Sequence, residues 1–413
     1  MENARAKIIT SRKYGAGIMA GGAAVIVLGV ILSLIRSALG NVFELPQIVI
    51  IIGVGVLIYG CFQYMHARNN NEEKEFSKKT AMRFITDNAI MISLLILIVI
   101  ICFIEPRFMQ IRVVLDILTI SSPRLIIALG ICFSLLIAGT DLSAGRMVGL
   151  AAVVSTSMLQ NADYGNRFFP NLGQINILIP IVIAIAACVF FGVINGFLVA
   201  RFDMHPFIAT LAVQVIVYGA TSLYFDMPPN NSQPIGGVRS DFVAIGQTKL
   251  FEIPGTFPGI SILVPIALVI CVVIWFVLNK TVFGKNVYAI GGNREAAVVS
   301  GVKVFRTLIM IFVLGGALYG FAGILEGART AGATNAYGFG YELDAIAACV
   351  VGGVSLNGGI GKVSGIVSGV LIFSVIQYGL QFINVSPMWQ QVIKGIIIAV
   401  AVAIDMSKYR RKS

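Results

Sequence analysis

Nothing constrains this chain more than its succession of apolar runs, many of them near the roughly 20 residues a helix needs to cross a bilayer and several shorter, each ended by a short polar or basic segment. Ala16 to Leu34 and Pro46 to Met65 come first, joined by a link that holds Arg36 and Glu44, and they read as a helical hairpin. Ten further candidate spans follow at 88–104, 123–138, 147–159, 177–200, 207–225, 261–278, 306–326, 341–356, 364–384 and 388–405. With 57% hydrophobic and 12% charged residues over 413 positions, a soluble globular protein is excluded. The chain is expected to be an all-α polytopic membrane protein, because a helix satisfies its own backbone polar groups in lipid.

The formal net charge of +11 points towards nucleic acid only until the 30 Lys and Arg are located. They bunch between apolar runs, where they report topology, and no nucleic-acid-binding signature accompanies them. Arg5, Lys7, Arg12 and Lys13 precede the hairpin, and Arg68, Lys74, Lys78, Lys79 and Arg83 follow it, so both its ends are expected in the cytoplasm. The basic start also suits a signal peptide, but no small-residue cleavage site leads into a soluble domain, and a retained span is expected. This reading gives a transmembrane hairpin over 1–66, a cytoplasmic polar linker over 67–84, a membrane domain over 85–407 and a basic cytoplasmic tail over 408–413. The six cysteines (61, 102, 132, 188, 271 and 349) fall one to a span without a CxxC, and read as small core residues.

Threading the ten later spans from a cytoplasmic start puts 160–176 and 226–260 outside and 280–306 inside, with both termini of the chain cytoplasmic. The outer DMPPNNSQPIGGVRSDF is long for a connection and reads as a structured outer feature, with a passive turn-rich loop as the alternative. The inner segment carries Lys280, Lys285, Arg294, Lys303 and Arg306 against Glu295. Within it, Gly291 and Gly292 allow a tight turn and Asn293 suits an N-cap. Glu295 complements the helix dipole, and Ala296, Ala297 and Val298 run on to Gly301 as a stop. Two turns of helix are marginal in water. The segment is therefore either a solvated loop or a helix that docks on a cytoplasmic partner.

Three segments interrupt the apolar pattern as the broken helices of a transporter do. GTDLSAGR (139–146) holds Asp141 and Ser143, either of which can cap the run that follows; for Asp141 this capping role is favoured over a proton or substrate role. ARFDMHPFIATLA (200–212) places Pro206 at a helix start before Phe207, and VGGVSLNGGIGKVSG (351–365), with Asn357, Gly358 and Gly359, is too glycine-rich for regular helix. Glycines four apart on one helix face, Gly316 and Gly320, Gly323 and Gly327, and Gly365 and Gly369, predict close helix packing. Catalytic motifs are missing. No GxxxxGK[ST], HExxH or GxSxG occurs, and the two histidines, His66 and His205, do not support a proton relay. An enzyme is not expected, and neither catalytic nor metal-binding residues are assigned.

The stretches GTDLSAGRMVGLAAVVS, FFGVINGFLVARFDMHPFIATLA, GKNVYAIGGNREAAVVSGVKV and ACVVGGVSLNGGIGKVSGIVSGVLI together resemble the ribose, xylose and galactose permeases of binding-protein-dependent ABC importers, and among these the galactose and methyl-galactoside branch. The resemblance covers about residues 85–407 and implies an importer bundle of about ten helices, some short or broken, to which the N-terminal hairpin adds two spans for about twelve. It further implies a homodimer in the bacterial plasma (inner) membrane, a separate nucleotide-binding subunit that holds ATP and Mg, and an extracytoplasmic sugar-binding protein. No cofactor on this chain and no nucleic-acid partner are implied, and the remaining contact is membrane lipid. The ATPase-coupling helix maps onto Asn293, Arg294, Glu295, Ala296, Ala297, Val298 and Gly301; the pathway candidates are Asp141, Ser143, Asn195, Pro206, Phe207, Asn357, Gly358 and Gly359. The N-terminal hairpin departs from the family pattern. Two rivals remain: an ion-coupled secondary sugar transporter, drawing on Asp141, Glu326, Glu342 or Asp344, and a membrane receptor or scaffold.

Overall fold

A computed structural model describes residues 98–253 and 257–410. The expected hairpin and linker over 1–84 and most of the candidate span 88–104 lie outside the described residues. The chain divides into two compact units, Met1–Val113 and Val114–Ser413. In the first, residues 98–104 are helical and Pro106–Met109 forms a 3-10 turn.

From Ile111 onward the regular elements among the described residues are helices, apart from one minimal ribbon. In order come α1 (Ile111–Leu136), α2 (Ala144–Met158), α3 (Leu178–Phe202), α4 (Pro206–Asp226) and α5 (Ser240–Gln247). The strands β1 (Lys249–Leu250) and β2 (Ile260–Ser261) pair antiparallel, Lys249 opposite Ser261. Then follow α6 (Leu263–Lys280), α7 (Val282–Gly292), α8 (Arg294–Val299), α9 (Val304–Thr330), α10 (Tyr341–Val351), α11 (Val363–Phe382) and α12 (Pro387–Arg410). Six of these, α1, α3, α4, α6, α9 and α11, are long and apolar enough to cross a membrane. The candidate spans 147–159 and 341–356 correspond to the shorter α2 and α10.

One span starts earlier than expected. The run placed at 123–138 is the C-terminal half of α1, which begins at Ile111 and carries Pro123 in its interior. A mid-helix proline deletes one backbone bond and normally breaks the helix. Here Thr119 Oγ1 donates to the Leu115 carbonyl at 2.8 Å, and Ser121 and Ser122 donate to the Leu118 carbonyl at 3.0 and 2.7 Å. These bonds satisfy the hydroxyls themselves within the helix, on carbonyls other than that of Thr119, which is the one the proline leaves without its N–H partner.

Helix α9 is the central post, packed by α3, α2 and α5. Each glycine pair read from the sequence faces a different neighbour. Gly316 and Gly320 lie on Cys188 and Ile185 of α3, Gly323 and Gly327 on Val148 and Thr156 of α2, and Gly365 and Gly369 of α11 on Gly352 and Ala348 at the end of α10. A Cβ at Gly316 would stand 2.5 Å from the Cys188 carbonyl oxygen, so these helices meet backbone to backbone. Without water to drive association, such contact is what holds helices together in lipid. The central and peripheral helices differ accordingly: 67% of the most apolar window of α9 is buried in the protein, against 28% for α3 and 22% for α6. Leu178, Val182, Phe190 and Phe197 of α3 stand exposed for lipid or another apolar surface.

The long connection over 226–260, expected outside, is structured. Ile235 and Ala333 exchange both backbone bonds, at 2.9 and 3.0 Å, and α5 packs its Gly246 on Ala328 and Arg329 at the end of α9. Phe168 stacks on Tyr224 at 4.8 Å, and the Tyr224 hydroxyl meets Ser157 at 2.7 Å. Helix α5 and the ribbon had no sequence signal strong enough to separate them from loop. Cys132, Cys188 and Cys349 are buried and unpaired, as small core residues are.

Candidate functional site

Helix α8 is defined almost wholly by its own sequence. Asn293 Oδ1 accepts the Ala296 N–H at 2.9 Å, closing the N-terminus. At the other end Gly301, with φ +81°, turns the chain so that its own N–H reaches the Val298 carbonyl and the Val302 N–H reaches that of Ala297, both at 3.0 Å. This double bond pattern is the Schellman stop, and glycine adopts its left-handed position without strain. Of the six helical residues only Ala297 is buried. Ala297, expected beside Ala296 and Val298 as an apolar contact for a partner, faces its own chain instead. Opposite it, Glu295 and Val299 form the outward ridge, flanked by Ala296 and Val298, and Val299 is 89% exposed. Val299 was missed. The signal for it is helical spacing, since it sits one turn after Glu295.

Gly291 and Gly292 are a second correction. They are the last turn of α7, not a free turn. Gly291 lies against the Leu136 carbonyl at the end of α1 and the Gly359 N–H, with no room for a Cβ. The Gly359 N–H donates to that same Leu136 carbonyl at 2.8 Å. One turn back, the Tyr288 hydroxyl donates to the Gly361 carbonyl at 2.8 Å, and burial pushes its phenol above the ordinary value, which keeps it a donor. The glycine-rich segment 352–362 folds into a tight loop here: the Ser355 N–H reaches the Ile360 carbonyl at 2.9 Å, and Gly358 and Gly359 have φ of +82° and +70°. Asn357 opens this loop with its N–H on Ser355 Oγ at 3.2 Å.

The break between α1 and α2 joins these parts to α3 and α4. The Ser143 N–H and hydroxyl both donate to Asp141 Oδ1, at 3.0 and 2.6 Å, and the Asn195 amide of α3 donates to the Ser143 oxygen at 2.8 Å. Ser143, at the N-cap position, makes no side-chain bond to the helix, and Asp141 accepts from Ser143, so neither side chain caps the first turn of α2 as expected; the carboxylate instead holds the turn that precedes it. Thr210 of α4 accepts the Leu142 N–H and donates to the Thr140 carbonyl, both at 3.1 Å. Pro206, the first residue of α4, packs its ring on Gly139, while Phe207 points outward. Asp141, Ser143, Asn195 and Pro206 thus converge on one side of the break, and Gly358 and Gly359 on the other. Thr210 was not foreseen. Arg294 at the start of α8 pairs with Asp203 at the end of α3, both exposed.

The four acids of the secondary-transport alternative are all buried and differ in their partners. Glu326 receives two bonds from Arg329, at 3.1 and 2.7 Å. Asp344 receives Lys394 at 3.0 Å and Gln377 at 2.8 Å. Beside Asp344 a cavity of about 10 Å³, walled by Arg124, Tyr341 and Phe373, has room for about one water. Asp141 is held by hydroxyl and backbone donors. Glu342 takes Gln214 at 3.3 Å on one oxygen, and its other oxygen has no partner among the described residues. No group of His, Cys, Asp and Glu among the described residues is disposed to hold a metal ion.

Residues 113–402 match the family described as branched-chain amino acid transport system / permease component. The galactose/methyl galactoside import permease protein MglC of Escherichia coli is 48% identical over 336 residues, covering 81% of this chain and 98% of that protein. Its Haemophilus influenzae counterpart is 49% identical over 335 residues, with the same coverage of 81% and 98%. The ribose import permease protein RbsC of Bacillus subtilis is 35% identical over 319 residues, or 77% of this chain and 92% of the relative. No solved structure matches the chain.

Proposed function

This chain belongs to the family of transport-system permease components, and on that premise we propose that it is the membrane subunit of an ATP-driven importer carrying galactose and methyl galactosides across the bacterial inner membrane. The observation that carries the sugar is the 48% identity to a galactose/methyl galactoside import permease over 98% of its length, against 35% for a ribose import permease. The working assembly is a homodimer of this permease with nucleotide-binding subunits below and an extracytoplasmic sugar-binding protein above. ATP and Mg belong to the nucleotide-binding subunit. Residues 85–407 are the permease domain of about ten spans, preceded by the hairpin over 1–66 and the linker over 67–84 and followed by the tail over 408–413, with both termini in the cytoplasm.

In this reading α8 is the coupling helix, presenting Arg294, Glu295, Ala296 and Val298 to the ATPase, with Ala297 seating it and Asn293 and Gly301 fixing its ends. ATP binding moves the ATPase, α8 follows, and the spans pass from one access state to the other. A ligand shifts such an equilibrium only by its differential affinity for the two states, so the helix must transmit displacement rather than absorb it. The contacts of Gly291 and Tyr288 with the two broken segments give that displacement a stiff route towards Asp141, Ser143 and Asn195. Ion-coupled transport is the weaker alternative, since Glu326 and Asp344 are already neutralised by Arg329 and Lys394.

The test is uptake of radiolabelled galactose by liposomes holding this permease with its ATPase and receptor. Uptake requires ATP and survives collapse of the proton gradient; uptake that follows the gradient without ATP overturns the proposal. Orientation is read at exposed positions, because Ala297 and Ile235 are both 3% exposed and would resist any reagent. Val299→Cys is labelled only from the cytoplasmic side and Gln233→Cys only from outside. Labelling of both from one side breaks the span count.

A further inference from the structure

Three buried polar atoms without a hydrogen-bond partner, Thr221 Oγ1, Asn335 Oδ1 and Glu342 Oε2, lie on α4 and on the segment bonded along it. Thr221 and Glu342 are 4% and 5% exposed. Positions 214, 218 and 221 share one face of α4, at i, i+4 and i+7. Opposite this face runs the segment 335–342, tied to α4 by Gln214 to Glu342 at 3.3 Å and by Asn335 to Ser222 at 2.9 Å. Gly145 in the first turn of α2 abuts Glu342 Oε2 and the Gly338 carbonyl, so α2, α4 and this segment close on one another. Between them the Arg146 guanidinium lies 4.3 Å from the centre of the Tyr218 ring and 5.2 Å from that of Phe339. Among the described residues no carboxylate lies within ion-pair distance of it.

A buried oxygen left unpaired costs free energy, and folded chains rarely leave several together unless something else completes them. What would complete these is specific in its chemistry. A carboxylate and a hydroxyl accept from ligand hydroxyls, a guanidinium and an amide donate to them, and the exposed rings of Tyr218 and Phe339 offer flat apolar faces to C–H groups. A single base stands beside a single buried acid, so no cluster of like charge marks the patch for an ion, and a neutral solute suits it better. We propose that Arg146, Gln214, Tyr218, Thr221, Phe339 and Glu342 form the contact site of this permease for a neutral polyhydroxyl solute, a monosaccharide or simple glycoside. This rests on the importer reading above. The site lies directly behind the break that ends at Ser143, since Arg146 stands in the first turn of α2, and the buried oxygens become accessible to a solute as movement of the break displaces Arg146 relative to α4.

The test uses the assembled importer in liposomes, with Tyr218→Ala, Phe339→Ala and Glu342→Gln. Tyr218 and Phe339 are 45% and 67% exposed, so their truncation spares the fold, and the glutamine keeps the shape of Glu342. Galactose uptake falls about tenfold or more in each variant, or about 1.4 kcal/mol, while co-purification of the ATPase and receptor-stimulated ATP hydrolysis stay at wild-type levels. Wild-type uptake in both Tyr218→Ala and Phe339→Ala overturns the site whatever Glu342→Gln does, as does a fall in uptake that tracks ATP hydrolysis. The unmutated importer separates the two readings: if it takes up no galactose with ATP and receptor present, the importer reading fails and the site falls with it, whereas uptake in the wild type and in the aromatic variants alike removes the site alone.

Discussion

Helix α8 and the end of α7 are two residues apart in sequence and opposite in physics. The first has one buried residue in six and satisfies its termini with Asn293 and the turn at Gly301. The second has Gly291 pressed between the Leu136 carbonyl and the Gly359 N–H, where it meets only backbone. A surface held by local caps can be re-shaped cheaply, because its neighbours are solvent or a partner. A joint made of backbone from three segments cannot give, because there is no side-chain end to move. The pair therefore resembles a handle on a fixed hinge, and the importer reading needs both halves.

The largest effect expected is at the hinge. Gly291→Val drives a branched side chain into two backbone groups, and overpacking that typically costs about 1–3 kcal/mol exceeds this range when the wall is main chain. The variant yields little or no monodisperse permease in detergent. Recovery at the wild-type level would mean that α7 shifts freely against the broken segments, and the stiff half of the comparison would be gone.

The handle should behave in the reverse way. Ala296→Arg and Val299→Asp change exposed positions and cost the isolated permease less than about 0.5 kcal/mol. Gly301→Val costs more, about 1–2 kcal/mol, since a β-branched residue is forced to φ +81°. All three variants fold and reach the membrane, yet uptake is abolished. In the first two an unpartnered charge is desolvated in the ATPase groove, and in the third the stop of a six-residue helix is lost. Normal ATP-dependent uptake in all three would leave α8 a connector.

What could be read from the sequence divides along the same line. The N-cap at Asn293, the stop at Gly301 and the helix start at Pro206 are local devices, carried by one residue and its next few neighbours, and each stands where its residue type implies. The glycine pairs were legible as close-packing faces because spacing alone fixes a face, although spacing could not say that α3, α2 and α10 are the partners. The reading failed where distant chain supplies the reason. Gly291 ends a helix because α1 and the 352–362 loop come within touching distance, and Pro123 lies in the interior of α1, where a proline on its own reads as a helix start. The convergence of Asp141, Ser143 and Asn195 with Thr210 has no signature in any one stretch of the sequence.

The smallest effect sharpens the comparison most. Arg294 is the one side chain of α8 with an ion-pair partner among the described residues, Asp203, and both are largely exposed. Exposed pairs contribute about 0.2–1 kcal/mol at best, because water screens them and two long side chains must be held still. Asp203→Ala therefore leaves stability within about 0.5 kcal/mol, and it leaves uptake unchanged if the pair merely fills time between dockings. Arg294→Ala is equally mild for the fold, but removes a cation from the start of the docking surface. If α8 engages an acidic rim of the ATPase, uptake falls in Arg294→Ala, falls no further in the double variant, and the loss deepens as salt is lowered and wild-type docking strengthens. Equal losses in both single variants, rescued by Asp203→Arg combined with Arg294→Asp, would place the effect in the pair itself. In that case α8 is steered by the end of α3 as well as by Gly291, and the handle is less free than its exposure suggests.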